Sequence, residues 1–418
     1  MNRNTLISAT LLAVFASSTV LPATTLAATA KKASTTPLEI SGWIPYWRTE
    51  AGTKDAKAHL SQLTEVNPFG YTVKLDGSLH DAMRIGGSDW KSLIKEAKKK
   101  RVRVVPTIMW SDTNSIHSIL SDPKKRATHV AGIVKMVKDN NFDGVDIDYE
   151  GKLAETRPYY TLFLKELSEE LSKKKANKWL MCTIEARMPL ESRYVGTPPP
   201  GIEYANDLPE INKYCDRVRI MTYDQQTADV RLNKEARAAG EFYAPVADKK
   251  WVEWVIEYMA KDIDKKKMVI GIATYGYIYQ LMPHTDGSGY TYTKLEAFNP
   301  GYAVELAKQY GITPTRNRAG ELSFTYVPKE QTALLPTQSA LAALAPRGTT
   351  SANLAAAGAI ALAKSKARQA PVQMLWWSDA SAIGDKVDLA RKLGVKGVAV
   401  FKIDGGSDPK MWDVLKKK

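Results

Sequence analysis

The sequence predicts a (β/α)8 barrel with a small α+β insertion between its seventh and eighth strands. Three observations lead to this prediction. Short β-rich runs alternate with amphipathic helical stretches, and eight such runs occur. The 418 residues also exceed the roughly 250 of a simple barrel. The predicted barrel comprises residues 31–278 and 371–418, and residues 279–370 hold the surplus.

The predicted barrel strands are rich in β-branched and aromatic residues, and the stretches between them have the apolar spacing of amphipathic helices. The strands are Leu38–Tyr46, Val66–Val73, Val102–Trp110, Gly144–Glu150, Leu180–Ala186, Val218–Tyr223, Met268–Tyr275 and Gly397–Ile403. The clearest helical patterns are Asp89–Lys100, Lys124–Asp139, Pro158–Lys175 and Lys249–Asp262.

The insertion changes composition along its length. Gly289–Pro328 mixes Tyr, Thr and Gly around one helical pattern at Tyr302–Gln309, which predicts a small α+β unit. Gln331–Ala370 is rich in alanine, a strong helix former, and predicts one or two helices that include Asn353–Ala367. The insertion either only packs against the barrel or forms a wall or lid of a substrate cleft.

Residues 1–30 have the pattern of a secretory signal peptide. Arg3 precedes an apolar stretch from Leu6 to about Leu21, and Ala28-Thr29-Ala30 provides a small-residue cleavage site. The alternative is an uncleaved membrane anchor, against which Pro22 argues. No later apolar run reaches the ~18–20 residues of a membrane span. We therefore expect a secreted or envelope-associated protein without stable membrane insertion after cleavage.

Composition and charge narrow the choice of partners. Hydrophobic residues make up 44% and charged residues 25%, which excludes global disorder, collagen and a multi-span membrane protein. The formal net charge of +14 favours acidic partners such as nucleic acid, an anionic membrane or an anionic cell wall. Lysine triplets at 98–100, 173–175 and 265–267 each end a predicted helix. They either cap helices and aid solubility or dock on an anionic wall polymer.

Two cysteines exclude a disulfide framework. Cys182 and Cys215 form a bridge if their strands are neighbours, and otherwise they are two buried thiols.

The fourth predicted strand carries the most informative residues. Because strand side chains alternate between faces, Asp146, Asp148 and Glu150 share one face while Val145 and Ile147 share the other. The apolar face should pack under the helices, so the acids should point into the barrel. Glu150 then lies at the carboxyl-terminal mouth, where barrel active sites occur.

Three carboxylates so close together cannot all ionise at low cost, so they should titrate as a coupled set with some pKa values raised. A Glu150 with a raised pKa is a competent general acid near neutral pH. The same three acids could instead belong to a solvated edge strand or form a Mg²⁺ or Ca²⁺ site.

The run Asp143, Asp146, Asp148, Glu150, spaced D-x-x-D-x-D-x-E, resembles the signature of glycoside hydrolase family 18, the chitinases and related β-N-acetylglucosaminidases. Further segments resemble later motifs of that family. They are Met221-Thr222-Tyr223-Asp224, Gly271–Gly276, and Trp376-Trp377-Ser378-Asp379 followed by Ser381 and Lys386. Together the resemblance covers about 38–278 and 371–408.

The resemblance implies a retaining, substrate-assisted mechanism on a (β/α)8 barrel. Glu150 would be the general acid and base, and Asp148 would orient the substrate's 2-acetamido group. Asp146 would hold Asp148 and share its proton, and Tyr223 would hydrogen-bond the acetamido oxygen. No metal or organic cofactor is implied. The implied partner is an N-acetylglucosamine polysaccharide bound by a monomer, with no nucleic acid.

Aromatic residues recur where the predicted strands end, which favours a sugar-binding cleft over separate core positions. Met221, Asp224 and Phe401 belong to the motifs that resemble the family's sixth and last strands. The predicted substrate-binding set is Tyr46, Trp110, Tyr149, Met221, Asp224, Tyr275 and Phe401, and Trp47 and Tyr277 belong to the same aromatic group.

Two departures from the family pattern bear on substrate. Pro106–Trp110 replaces the Ser-x-Gly-Gly of many chitinases, and Phe401-Lys402 replaces the tryptophan that forms the floor of the reacting subsite. Trp376 or Trp377 is a candidate replacement for that floor. Val66–Val73 and the following Asp76–Leu79 resemble the spore-cortex and cell-wall branch. Peptidoglycan is therefore favoured over chitin and N-glycans.

Two alternatives to this hydrolase lie in different functional classes. One is a sugar-binding, lectin-like protein without turnover, which the presence of Glu150 disfavours. The second is a metal-dependent hydrolase that uses the three acids.

Overall fold

The computed structural model describes residues 37–173, 177–286, 288–329, 335–366 and 368–417. Within these ranges the chain forms a closed barrel of eight parallel strands, surrounded by helices, and a second sheet of five antiparallel strands. This architecture confirms the predicted barrel with an inserted unit. The predicted signal peptide at 1–30, and Lys174 and Lys175 of the second lysine triplet, lie outside the described residues.

The barrel strands neighbour one another in chain order. Trp43 pairs in parallel with both Phe401 and Asn67, which closes the ring between the last, first and second strands. The predicted third strand is split, because Pro106 has no N–H to donate to a neighbour. In chain order the strands of this sheet are β1 Glu39–Pro45, β2 Glu65–Val73, β3 Leu79–Asp81, β4 Arg103–Val104, β5 Thr107–Trp110, β6 Gly144–Tyr149, β7 Trp179–Glu185, β8 Arg217–Met221, β9 Met268–Ala273 and β15 Gly397–Phe401, of which the short β3 and β4 pair with β2.

Aspartates begin several of the helices that cover the barrel. The carboxylate of Asp122 accepts from the backbone N–H of Lys124 and Lys125, and that of Asp248 accepts from Lys250. These caps satisfy N–H groups that the first helical turn leaves without partners. The helices are α1 Thr49–Ala58, α2 Ser88–Lys99, α3 Thr113–Ser121, α4 Pro123–Asp139, α5 Arg157–Ser172, α6 Leu208–Tyr214, α7 Val230–Ala238, α8 Lys249–Met259, α9 Pro300–Gln309, α10 Gln338–Leu344, α11 Leu354–Lys366, α12 Ala380–Leu393 and α13 Met411–Val414.

The two faces of the barrel wall have different contents. Val145 and Ile147 of β6 are fully buried in the large apolar core between strands and helices. The lumen holds a small cluster of Trp43, Phe69 and Ala399 alongside polar and charged side chains. The strand alternation read from the sequence therefore positions the acids in the lumen, as predicted.

The inserted unit is built on an antiparallel sheet. Its strands are β10 Gly276–Pro283, β11 Tyr290–Phe298, β12 Thr315–Arg316, β13 Leu322–Tyr326 and β14 Val372–Trp377, in the spatial order β11-β10-β14-β13-β12. The sheet thus extends beyond 279–370 at both ends. Helix α9 packs on it through Ala303 and Ala307, and α10 packs on α11. A Cβ added at Gly358 of α11 would lie 1.8 Å from the carbonyl oxygen of Leu341, so only glycine permits this helix contact.

One buried carboxylate joins the inserted unit to the barrel. Glu321 precedes β13, is 0% exposed, and accepts from the backbone N–H of Val246 (2.9 Å) and Ala247 (3.1 Å) in the loop before α8. It also accepts from Trp376 Nε1 at 2.7 Å and Ser378 Oγ at 2.8 Å. Lys386 of α12 lies 3.5 Å away and balances the charge. Every one of these partners is a donor, so protein groups replace water around the buried carboxylate.

Cys182 of β7 and Cys215, two residues before β8, form a disulfide across neighbouring strands. The bridge decides between the two possibilities left by the sequence.

The lysines at the helix ends interact locally, since Lys98 Nζ donates to the carbonyl of Asn141 (3.2 Å) and Lys267 Nζ to that of Cys215 (3.0 Å). In the part of the chain that the structure describes, no helix is both long and apolar enough to cross a bilayer.

Candidate active site

Strand β6 places three carboxylates in a row from the lumen to the mouth. Asp146 is 0% and Asp148 5% exposed, whereas Glu150, one residue past the strand, is open to solvent. The backbone N–H of Glu150 donates to the carbonyl of Trp110 at 2.8 Å, which holds the end of the strand against β5. The row therefore runs from a dry interior to a wet mouth.

Asp146 is surrounded by donors. Its Oδ2 accepts from Trp43 Nε1 at 3.1 Å and Thr107 Oγ1 at 2.8 Å, and its Oδ1 accepts from Thr183 Oγ1 at 2.9 Å. The guanidinium of Arg219, which is 2% exposed, lies 2.8 Å from Oδ2. An indole and a guanidinium donate only, so this environment matches an ionised carboxylate.

Arg219 continues a chain of alternating charges towards the opposite end of the barrel. It also pairs with Glu65, which is 1% exposed. Arg103 bridges Glu65 at 2.9 Å and Glu39 at 3.1 Å, and Arg217 lies 2.7 Å from Glu39. Burial alone would raise the pKa of Glu39, but Arg217 and Arg103 lower it overall. Asp146 is thus the terminal anion of a buried ion network.

Asp148 has the opposite character. Its buried Oδ1 has no hydrogen-bond partner among the described residues. Burial, followed by the negative charges of Glu150 and Asp146, raises the pKa of Asp148 well above its usual range, and only Lys152 opposes this. Asp148 therefore favours its protonated form more than an ordinary aspartate does, and it has an oxygen free to receive a substrate donor.

Glu150 is suited to acid catalysis. Desolvation in the cleft, then the negative charges of Glu185 and Asp224, raise the pKa of Glu150 above its ordinary value, while Lys152 lowers it. A carboxyl at the mouth with a raised pKa keeps a transferable proton closer to neutral pH.

Glu150 opens into a cavity of about 520 Å³, which we call the catalytic cavity. Glu185 Oε2 accepts from Asn206 Nδ2 at 2.7 Å on one wall. Lys152 Nζ donates to the carbonyl of Tyr149 and lies 4.7 Å from the ring centre of Tyr160. Burial lowers the pKa of Lys152, although the nearby carboxylates act in the opposite direction. Residues that line the cavity include Glu150, Lys152, Glu185, Asn206, Met221, Tyr223 and Asp224.

Tyr223 follows β8 and closes one side of the site. Its ring stacks on Phe401 with centroids 6.0 Å apart and an interplanar angle of 18°, and meets Tyr275 edge-on at 6.4 Å. Burial and the negative charges of Asp148 and Asp224 raise the pKa of Tyr223 well above its ordinary value. The phenol is therefore neutral and available as a hydrogen-bond donor.

Asp224 is fixed by two tyrosines. Its Oδ1 accepts from Tyr275 OH at 2.6 Å and from Tyr277 OH at 2.7 Å. The residue has a φ of 57°, a left-handed conformation that aspartate tolerates better than most residues. This local backbone turns the chain after β8 and leaves the carboxylate at the cleft.

Phe401 forms the centre of the aromatic floor. Besides Tyr223 it contacts Phe69 at 5.6 Å, Trp43 at 5.9 Å and Tyr275 at 6.2 Å between ring centroids. The peptide bond between Phe401 and Lys402 is cis. Neither tryptophan considered as a replacement floor reaches this place. Trp376 is 0% and Trp377 1% exposed, because both lie in β14 of the inserted sheet.

The floor continues to an exposed rim. Trp47 packs edge-on against Phe69 at 6.0 Å and against Tyr46 at 5.0 Å. Tyr46 is 38% and Trp47 49% exposed, unusually high for large aromatic side chains. A row of rings therefore leads from the solvent to Phe401, the arrangement expected of a sugar-binding surface.

Two predicted substrate-binding residues do not face the cleft. Tyr149 is 0% exposed, and its hydroxyl lies 2.6 Å from His129 Nε2 on α4. Trp110 is 4% exposed and donates to Ser115 Oγ at 3.0 Å. Both residues alternate with lumen-facing ones, so they project between strands and helices. This corrects their assignment to the sugar-binding set.

The remaining predicted residues converge. Glu150, Met221, Tyr223 and Asp224 line the catalytic cavity, and Tyr275 and Phe401 contact the ring of Tyr223. Asp148 and Asp146 lie below Glu150 in the lumen, and Tyr46 lies on the exposed rim. Sequence reasoning missed Trp43, Thr107, Thr183, Arg219, Lys152 and Glu185. The alternation of β5 would have predicted that Thr107 and Met109 face inward. The identity of the donors to Asp146 depends on strand register. Among the described residues, no group of three or more His, Cys, Asp or Glu is arranged to hold a metal ion.

Comparison with known proteins identifies a matching family. The model of "Glycosyl hydrolases family 18" matches residues 42–406. The chain is 21% identical over 343 residues to the uncharacterized glycosylase YvbX of Bacillus subtilis (strain 168), covering 80% of this chain and 79% of that one.

Two solved structures share the fold. The Bacillus cereus spore cortex-lytic enzyme SleL superposes with a TM-score of 0.63 at 18% identity, over 91% of this chain and 75% of that one. A mutant class V chitinase from Nicotiana tobaccum, in complex with NAG4, gives a TM-score of 0.61 at 12% identity, over 91% and 97%.

Proposed function

The chain belongs to glycoside hydrolase family 18, and we propose that it is a secreted retaining hydrolase of β-1,4-linked N-acetylglucosamine glycans, with peptidoglycan as the preferred substrate. The observation that carries the proposal is the row formed by Asp146, Asp148 and Glu150. One member is fixed in a buried ion pair, one has a raised pKa and a free oxygen, and one is an accessible acid.

In the first step Glu150 donates its proton to the glycosidic oxygen, and the C1–O bond to the leaving sugar breaks. The carbonyl oxygen of the substrate's own 2-acetamido group attacks C1 and forms an oxazolinium ion, so no protein nucleophile is needed. The free Oδ1 of Asp148 accepts the acetamido N–H, and as the oxazolinium forms Asp148 shares its proton with Asp146, so that the aspartate pair stabilises the developing positive charge. Tyr223 OH donates to the acetamido oxygen before attack and thereby orients it.

In the second step the now ionised Glu150 takes a proton from water, and the water oxygen attacks C1. The oxazolinium opens, which restores the acetamido group and gives a product with retained configuration. Asp146 is held in place by hydrogen bonds from Trp43, Thr107 and Thr183 and by its ion pair with Arg219. This chemistry requires neither metal nor organic cofactor, and activity should be unchanged by EDTA. We expect the protein to act as a monomer.

Two observations support an extracellular site of action. The first is the predicted signal peptide at 1–30. The second is the disulfide between Cys182 and Cys215, since disulfides persist in oxidising compartments and are rare in the cytosol. Detection of the mature chain in culture medium or in the envelope fraction tests this part of the proposal. Recovery from the cytosol alone would contradict it.

The preference for peptidoglycan rests on two lines of support. One is the fold shared with a spore cortex-lytic enzyme, and the second is the net charge of +14, which suits an anionic wall. Chitin is the alternative polymer, and the NAG4 complex of the tobacco chitinase illustrates that the fold accommodates such a chain.

The decisive experiment compares the mature protein with Glu150→Gln on purified peptidoglycan and on chitin hexamer, with product mass spectrometry. We expect new reducing N-acetylglucosamine ends from peptidoglycan and a loss of at least ~10²-fold in the variant, the usual scale for a missing general acid. Cleavage of the hexamer alone would refute the preferred substrate. Near-full activity of Glu150→Gln would refute the assigned acid.

A second function, sugar binding without turnover, is favoured by one observation. Phe401 presents a smaller ring than tryptophan at the floor of the reacting subsite. Tight binding of chitin hexamer without cleavage by wild type, together with cleavage after Phe401→Trp, would establish it.

A further inference from the structure

A second pocket lies beside the catalytic cavity and takes no part in the chemistry above. It has a volume of about 900 Å³ and lies between α7, β11 and α11. We call it the lateral pocket. The two cavities share one loop, because Ala228 lines the catalytic cavity while its neighbours Thr227 and Val230 line the lateral pocket.

The lateral pocket carries excess positive charge. Its lining includes four cationic side chains and one acidic side chain, Glu241. Glu241 is occupied by an ion pair with Arg318. Among the described residues, Lys234, Arg237 and Lys364 have no acidic partner, and all three are exposed to solvent. Their charges are therefore available to an anionic ligand.

The uncharged walls combine aromatic and aliphatic side chains with the polar side chains of Thr227, Asn233 and Ser288. Tyr290 OH donates to the carbonyl of Ala356 at 3.0 Å, and Tyr292 OH accepts from the backbone N–H of Tyr243 at 3.2 Å. Both hydroxyls thus contact backbone, and the two rings contribute apolar surface. Together with Val230 and Ile360 they form a lining for methyl groups.

A neutral glycan fits this combination poorly, since it has no charge to pair with the three cations. An acidic peptide with small apolar side chains fits both features, because its carboxylates match the cations and its methyl groups match the rings. Peptidoglycan carries such peptides on its glycan strands, rich in alanine and with free carboxylates, whereas chitin carries none.

We propose that the lateral pocket binds the acidic stem peptide of the glycan strand on which the enzyme acts. The inference rests on the proposed hydrolysis of a glycan, to which it adds the substituent that distinguishes peptidoglycan from chitin. The short loop shared by the two cavities allows one substituted strand to occupy both. The pocket thus gives the active site a preference for peptide-bearing glycan.

The test begins with binding, which does not depend on turnover. Calorimetry on the full mature chain would use a soluble tetrapeptide stem with free carboxylates and its fully amidated analogue. The variant combines Lys234→Gln, Arg237→Gln and Lys364→Gln, which removes charge while keeping side-chain length. We expect it to bind the acidic peptide about tenfold more weakly, the combined effect of three solvent-exposed charges.

A matched control removes the same charge elsewhere. Lys91→Gln, Lys95→Gln and Lys165→Gln lie on exposed faces of α2 and α5, and this triple variant should bind the peptide like wild type. Equal affinity of wild type and the pocket variant, equal loss in the control, or equal binding of the amidated peptide would each overturn the proposal.

Turnover provides the second arm. The ratio of kcat/KM on peptide-bearing strands to that on peptide-free strands should fall towards one in the pocket variant, while kcat/KM on chitin hexamer stays at the wild-type value. An unchanged ratio would overturn the proposal. Failure to cleave any of these glycans would refute the proposed hydrolysis, and the binding arm would still decide whether the pocket takes the peptide.

Discussion

Removing the cation that faces Asp146 should destabilise the barrel in a pH-dependent way. In Arg219→Met the chain loses a guanidinium that is 2% exposed and lies 2.8 Å from Asp146 Oδ2. Glu65 keeps Arg103 at 2.9 Å, so Asp146 is the anion left without a cationic partner. At an effective dielectric constant of about 20, two unit charges about 4 Å apart attract by about 4 kcal/mol. Breaking a buried pair typically costs about 3–5 kcal/mol, and we expect a loss of that size in the free energy of unfolding at about pH 7.

The pH dependence tests whether the loss comes from charge. An aspartate in the unfolded chain titrates near about 3.9, whereas the folded variant gains by protonating its uncompensated buried carboxylate at higher pH. The folded variant therefore binds the extra proton, and its deficit relative to wild type should shrink as the pH falls from about 7 to about 5. Urea unfolding followed by tryptophan fluorescence measures both values. Arg318→Met, which breaks the exposed pair with Glu241, is the control and should cost less than about 1 kcal/mol.

A double variant provides the refutation. Adding Asp146→Asn to Arg219→Met removes the buried charge, so the double variant should recover at least about 1 kcal/mol of the loss at about pH 7. If the deficit of Arg219→Met is independent of pH and Asp146→Asn recovers nothing, the loss does not come from the charge of Asp146, and the ion pair with Arg219 does not stabilise the barrel as argued here.

Three further outcomes are expected. Because Lys152 lowers the pKa of Glu150, Lys152→Met should raise that pKa and move the alkaline limb of the kcat/KM profile upward by roughly 0.5–1 pH unit; a downward shift would contradict the electrostatics of the site. Replacing Cys182 and Cys215 by alanine opens a loop with a sequence separation of 33 and should cost about 4 kcal/mol of stability, measured against the wild type with its bridge intact. Burial lowers the pKa of His129 to about 4, so the unfolded chain takes up this proton first. Stability is then lost as the pH falls from about 6.5 towards about 4, and His129→Gln should remove about 3 kcal/mol of that loss; an unchanged acid-unfolding curve would show that His129 is not its cause.

The barrel and the acid row can be predicted from the sequence because both depend on local periodicity. Alternation in β6 alone places Asp146 and Asp148 on the lumen side. The same rule places Tyr149 on the outer side of the barrel, so the alternation already excluded its assignment to the cleft. Trp110 in β5 is excluded in the same way.

The donors around Asp146 are a different case. Thr107, Thr183 and Trp43 come from three separate strands, and only the relative register of those strands brings them to one carboxylate. The lateral pocket depends on α7 meeting an insertion that lies far along the chain. No local pattern in the sequence predicts either arrangement. The disulfide is partly predictable, since the choice between a bridge and two buried thiols depended only on whether β7 and β8 are neighbours.

The burial of Glu321 limits how far the inserted unit can move. A unit that opened as a lid would have to strip this carboxylate of its contacts with Val246 and Ala247 and leave Lys386 as a lone cation in the protein interior. Breaking this buried ion pair would cost more free energy than an opening motion about a hinge can supply. The inserted unit should therefore keep its position on the barrel when a glycan binds. Grafting a foreign insertion onto this barrel would succeed only if it supplies a carboxylate at the same place.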